Sequence, residues 1–219
     1  DRKEPEFGAR IQLPVPKGEA AISYHHRTAD FTGLVADSVL PARRAYPEDR
    51  LGIDGKWDLG PGLWFEYVLQ YNHPDNNYML SWVNYLNVGI DYTFSLGNGL
   101  NMMTEFFRFS NADEPFGKGI SKNFSVISAN YPIGLMDRIS CMVYFSWGDQ
   151  SWYRFINLQR QYDYWSFYLL AFWNPEQFDI YNFSAERNLF AGKGFQFMAV
   201  YNFDENNFKC KKSRHKEKK

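Results

Sequence analysis

The stretch Arg50–Asn72, RLGIDGKWDLGPGLWFEYVLQYN, decides the fold class. Successive side chains of a strand point to opposite faces, so a half-buried strand alternates with period 2. Across Arg50–Leu59 one face reads Leu51, Ile53, Gly55, Trp57, Leu59 and the other Arg50, Gly52, Asp54, Lys56, Asp58. After Gly60-Pro61-Gly62 the pattern resumes: Leu63, Phe65, Tyr67, Leu69, Tyr71 against Trp64, Glu66, Val68, Gln70, Asn72. Two alternating segments joined by a Gly/Pro turn form an antiparallel hairpin.

Outward from this hairpin the same rule recurs. Asn87–Leu96 sets Val88, Ile90, Tyr92, Phe94, Leu96 against Asn87, Gly89, Asp91, Thr93, Ser95. Leu135–Trp147 sets Ile139, Cys141, Val143, Phe145, Trp147 against Arg138, Ser140, Met142, Tyr144, Ser146. Phe195–Phe203 sets Phe195, Phe197, Ala199, Tyr201, Phe203 against Gln196, Met198, Val200, Asn202. Less regular strands are expected at Ala9–Pro14, Ala20–Arg27, Asn101–Phe109, Asn123–Tyr131, Tyr162–Trp173 and Phe178–Ala185, about eleven or twelve in all. Residues 1–8 read as a lead-in, 9–203 as one strand-and-loop domain, and 204–219 as a basic, solvated tail.

The connections alternate in length. Short turns are expected at Pro16-Lys17-Gly18, Gly60-Pro61-Gly62, Gly97-Asn98-Gly99, Pro132-Ile133-Gly134 and Asn174-Pro175-Glu176, where glycine offers positive φ and proline presets the bend. Between them lie longer links, Thr28–Asp49, His73–Leu86, Ser110–Lys122 and Gly148–Gln161. The chain begins with the charged Asp1–Glu6 rather than a signal peptide, which implies a processed chain or a segment of a longer one.

Composition narrows the class. Of 219 residues 19% are aromatic, with 20 Phe, 15 Tyr and 7 Trp, while the mean hydropathy is only −0.49. No run approaches the roughly 18 apolar residues of a spanning helix, whereas a spanning strand needs only about 9–11. The net charge of −1 gives no global field that would draw nucleic acid or anionic lipid. Cys141 and Cys210 are too few for a disulfide framework.

No pattern of catalytic chemistry is present: neither Gly-x-Ser-x-Gly, nor a phosphate-binding glycine loop, nor His-Glu-x-x-His occurs, so no enzyme and no cofactor are expected. His25-His26 tempts a metal reading, but neighbours on a strand face opposite ways and no ligand stands at a metal spacing. The sequon-like Asn123-Phe-Ser125 and Asn182-Phe-Ser184 lie in or near expected strands and read as chance.

The hairpins around Gly60-Pro61-Gly62 and Gly97-Asn98-Gly99, with the terminal FQFMAVYNF of Phe195–Phe203, resemble bacterial outer-membrane porin-like β-barrels, over roughly Ala9–Phe203. The resemblance implies an antiparallel, up-and-down transmembrane barrel in the bacterial outer membrane, with short periplasmic turns and long external loops. It also implies that Phe203 ends the strand recognised by the barrel-assembly machinery. Eleven strands starting with a downward one leave an upward strand unaccounted for, so this chain is expected to be part of a larger barrel.

On this reading Arg50, Asp54, Lys56, Asp58, Glu66, Gln70, Asp91, Glu105 and Arg138 line a wet lumen of mixed charge and weak selectivity. Arg43 and Arg44 mark the loop expected to fold in as a constriction. Trp57, Tyr71, Trp147 and Trp173, with Trp64, sit towards strand ends as a membrane girdle would. The expected function is passive diffusion of small polar solutes. The expected partners are outer-membrane lipids, the assembly machinery, and further copies or a larger envelope complex. The alternatives are an aromatic-rich β-sandwich binding carbohydrate, and a closed barrel serving as an anchor.

Overall fold

The computed structural model describes residues 5–30, 45–73, 81–176 and 189–203. They form eleven strands: β1 (Phe7–Val15), β2 (Gly18–Asp30), β3 (Ala45–Asp58), β4 (Gly62–Asn72), β5 (Trp82–Phe94), β6 (Leu100–Ala112), β7 (Ile120–Pro132), β8 (Asp137–Ser146), β9 (Ser151–Gln161), β10 (Trp165–Trp173) and β11 (Lys193–Tyr201). All are antiparallel to their neighbours in one sheet whose spatial order is the order of the sequence. The all-β, up-and-down reading therefore holds.

The sheet is open. Among the described residues each strand pairs through its backbone only with its sequence neighbours, so β1 and β11 are free edges and no closed barrel is formed. Because β1 and β11 run in the same direction, direct closure of one on the other would be a parallel pairing.

Register puts the alternation of every strand into two sheet-wide faces. The residues Leu13, Ala20, Gly55, Phe65, Val88, Phe106, Ser125, Phe145 and Trp152 are successive Cα partners from β1 to β9. The row starts near the short-turn end of β1 and finishes near the opposite end of β9, so the strands are staggered, as a curling sheet requires. The apolar sets read from Arg50–Leu59, Leu63–Asn72, Asn87–Leu96, Leu135–Trp147 and Phe195–Phe203 all fall on this one face.

Burial is inverted relative to a water-soluble sheet. The buried strand side chains lie on the polar face, among them Tyr46, Glu48, Gln70, Val83, Ser128, Tyr153 and Phe172; Ala112 is the exception. The large exposed hydrophobic side chains of the strands, such as Ile11, Leu51, Ile53, Ile90, Phe106, Leu158 and Phe197, lie on the apolar face, with Ile120 and Met198 as exceptions. The sheet thus curls around its polar side and turns its apolar side outward.

Several boundaries differ from expectation. Residues 151–161, read as part of a long loop, are strand β9, entered by a turn at 147–150 in which Gln150 has φ 55°. The short turn that follows lies at 162–164, and Asn174-Pro175-Glu176 opens the long connection 174–192 between the paired strands β10 and β11 instead of forming a short turn. The expected strand Phe178–Ala185 lies outside the described residues, so the agreement in strand number rests on a different set of strands. β1 starts at Phe7, inside the expected lead-in, and extended strands shorten three long links to 31–44, 73–81 and 113–119. At residues 16–17 the positive φ belongs to Lys17, at 60°. Gly18 is required for another reason: a Cβ there would stand 2.1 Å from the Lys56 carbonyl oxygen.

With these corrections the connections at one end are 16–17, 59–61, 95–99, 133–136 and 162–164. Those at the other end are 31–44, 73–81, 113–119, 147–150 and 174–192. The asymmetry between the ends persists, except that 147–150 is as tight as the short turns.

Candidate functional site on the polar face

The nine residues Arg50, Asp54, Lys56, Asp58, Glu66, Gln70, Asp91, Glu105 and Arg138 all share the polar, inward-curling face. They separate into two zones. Near the long-connection end Glu48 is only 1% exposed. Its Oε1 accepts from Arg27 Nε and pairs with Arg50 Nη2 at 2.7 Å. Its Oε2 accepts from Gln70 Nε2 at 3.1 Å, and the same amide donates to Asn72 Oδ1 at 2.7 Å. A carboxylate this buried is tolerable only when its lone pairs are filled, and two guanidiniums and an amide fill them. Glu48 fell within an expected loop, so the residue that organises Arg50 and Gln70 escaped the sequence reading.

Towards the short-turn end a cavity of about 340 Å³ is lined by Glu19, Asp54, Lys56, Trp64, Glu66 and Asp91 among others. Arg10 reaches from β1 past β2 to clamp Asp54, with Nη1–Oδ2 and Nη2–Oδ1 both 2.7 Å. Trp64 belongs to this wall and not to the outer girdle: it is paired with Gly89 on the polar face. Asp91 similarly covers Gly62, where a Cβ would meet its carboxylate at 2.5 Å. Carboxylates thus outnumber cations in this half of the face.

From β5 to β10 the polar face carries aromatic rings, in pairs such as Tyr85–Phe109, Phe107–Phe124 and Tyr144–Phe155. Phe190, from the connection 174–192, folds onto this wall, with ring centroids 5.5 Å from Phe172 and 6.0 Å from Phe155. Asn174 pins the fold-in. Its Nδ2 donates to the Phe190 carbonyl at 2.7 Å, its backbone N donates to the Gly192 carbonyl, and its Oδ1 accepts from the Arg154 backbone N–H. The expected constriction residues Arg43 and Arg44 lie outside the described residues, and Phe190 carried no sequence signal that would have singled it out.

The outer face is bounded by aromatic and polar residues. Trp57 lies near the short-turn end; Tyr71 and Trp173 lie near the other, as does Trp147, which donates Nε1–H to Ser125 Oγ at 2.9 Å. Above Leu51, Asp49 accepts from Tyr24 Oη at 2.6 Å and meets His26 Nδ1 at 2.7 Å and His73 Nε2 at 2.6 Å. His25 turns to the polar face, where Nε2 lies 2.9 Å from Glu6. The adjacent histidines thus face opposite ways. Only the cross-strand register brings Asp49 to both His26 and His73, so the sequence offered no clue to this cluster. Phe203 lies just beyond β11 and is exposed.

Comparison with protein-family models, curated proteins and solved structures yields no match. The class defined by the observations is therefore architectural: a sequential, open antiparallel sheet with one polar face and one exposed apolar face.

Proposed function

We propose that the chain forms wall strands of an outer-membrane β-barrel through which small polar solutes diffuse. The observation that carries this reading is the inversion of the two faces. In water, a sheet curled around charged side chains with Leu51, Ile53, Ile90 and Phe197 outside would expose its most apolar surface. In a bilayer the same arrangement is the stable one, because hydrocarbon covers the apolar face and water fills the polar side. Among the described residues no second sheet covers the apolar face, which disfavours the carbohydrate-binding sandwich. The polar face then serves as the lumen wall, with Phe190 and Asn174 as a fold-in element among the described residues. Phe203 retains its proposed role as an assembly signal.

The test is gel mobility of the detergent-extracted membrane protein, cold and boiled, followed by planar-bilayer conductance. A heat-dependent shift and discrete conductance steps are expected. Full recovery in the soluble fraction would overturn the membrane reading. A shift without conductance would favour the anchor role instead.

A further inference from the structure

Arg108 is one of three strand arginines on the apolar face; the other two, Arg154 and Arg160 on β9, lie near the rings of Trp152 and Tyr162. Arg108 lies on the apolar face of β6, in register with Leu86 on β5 and Asn123 on β7, and among the described residues no carboxylate pairs with it. Directly below it on the same face is the exposed Phe106, followed by Thr104, whose hydroxyl donates to the Val126 carbonyl, and the exposed Met102; above it is Ser110. Arg108 therefore marks the level at which the apolar belt gives way to polar side chains.

At this level there is a cavity of about 240 Å³, lined by Tyr67, Asn84, Leu86, Arg108 and Ser110 and overhung by Phe116 and Gly117 of the connection 113–119. Tyr67 Oη donates to Asn84 Oδ1 at 2.5 Å, which leaves the Asn84 amide nitrogen as a donor. The polar side of the cavity thus offers a guanidinium, an amide N–H and a hydroxyl, and no carboxylate lines it. Its apolar side, Leu86 and the 81% exposed Phe116, continues downward into Val88 and Phe106.

We infer that this cavity holds the anionic head group of a membrane lipid, with a phosphate on Arg108 and an acyl chain running down the belt beside Leu86, Val88 and Phe106. This inference rests on the proposal that the apolar face meets lipid. Two features select an amphiphile over a free anion. The donors sit at the border of the belt and not in open water, and an exposed phenylalanine overhangs the same opening. A guanidinium is the side chain best matched to a phosphate, since its parallel N–H groups bond two oxygens at once.

The experiment uses the detergent-folded chain titrated with phosphatidylglycerol or phosphatidylcholine, and lipid retention is read by native mass spectrometry. One retained phosphatidylglycerol is expected, weakened about tenfold in Arg108→Gln and restored in Arg108→Lys only in part, as expected for loss of a charge-assisted, bidentate contact. Ser110→Asp, which places a carboxylate in the cavity, is expected to abolish retention even if Arg108→Gln does not fold. Arg160→Gln, at the opposite rim, is expected to leave it unchanged. Equal retention of both lipids, equal loss in Arg160→Gln, or displacement by inorganic phosphate at low concentration would overturn the lipid site. Failure of the chain to enter pure phosphatidylcholine vesicles would instead overturn the membrane reading, whatever the lipid charge.

Discussion

The indole of Trp64 lies against the backbone of Gly89, its directly paired neighbour on β5, so that a Cβ at Gly89 would stand 2.2 Å from the ring. The ring is thereby laid along the wall rather than across the polar face. Gly89→Ala should force the indole off the wall and cost about 1–3 kcal/mol, the usual range for overpacking. Trp64→Ala in the same chain should recover most of that loss. Urea titrations of the four members of this double-mutant cycle test the coupling; additive effects would show that the two residues act independently.

A second prediction concerns Glu48. Removing one member of a buried charge cluster leaves its partners uncompensated, which costs about 3–5 kcal/mol where burial is complete. Arg27 and Arg50 remain 39% and 34% exposed at their side chains, so water can recover part of this. Glu48→Ala should therefore destabilise by about 2–3 kcal/mol, below the fully buried range. Glu48→Gln should cost less, because the amide oxygen still accepts a bond. A loss under about 0.5 kcal/mol, the ordinary level for a surface pair, would mean that the cluster contributes nothing beyond surface charge.

The parts of this architecture that the sequence reveals are those in which the two faces differ in kind. Leu51, Ile53 and Trp57 alternate with Arg50, Asp54 and Lys56, and that contrast alone assigns β3, its faces and its hairpin with β4. Strand β9 illustrates the opposite case. Its outward residues Trp152, Arg154, Ile156, Leu158, Arg160 include two arginines, and its inward residues include Tyr153 and Phe155, so neither face is uniform. The arginines keep their charge near aromatic rings, Arg154 5.8 Å from the Trp152 centroid and Arg160 5.3 Å from that of Tyr162. Glu48, Phe190 and the Asp49–His26–His73 cluster depend on register and loop packing, which no local pattern encodes.

If the polar face is a lumen wall, Phe190 limits its width. Phe190→Ala removes the ring packed on Phe155 and Phe172, and Asn174→Ala removes the amide that holds the connection in place. Both substitutions should raise single-channel conductance without altering the heat-dependent gel shift. Unchanged conductance in both would place the narrowest point elsewhere.

The surplus of carboxylates near the short-turn end should bias that lumen towards cations, though weakly, since Arg10 and Lys56 stand among them. Replacing Glu66 and Asp91 together by Gln and Asn should shift the reversal potential in a salt gradient towards the anion side. Arg138→Gln, which removes a cation from the same end of the polar face, should shift it the opposite way. A shift in the same direction for both substitutions would argue against the charge origin of the bias.

The turn at 147–150 makes a prediction about acid. Burial alone would raise the pKa of the Asp149 carboxyl, yet hydrogen bonds from Ser146, Ser151 and backbone N–H groups hold it below the ordinary carboxylate range. A group depressed in the folded state contributes stability above its unfolded pKa, about 3.9 for Asp, and loses that contribution as pH falls through the folded value. The charged carboxylate therefore supports the turn fully at neutral pH and progressively less below about pH 4. Asp149→Asn removes the titration but keeps one acceptor, so its stability should depend less on pH in that window while lying below the parent at pH 7. Parallel unfolding curves for parent and variant at pH 3 and pH 7 measure the difference. The same gap between parent and variant at both pH values would show that the Asp149 charge does not support the turn.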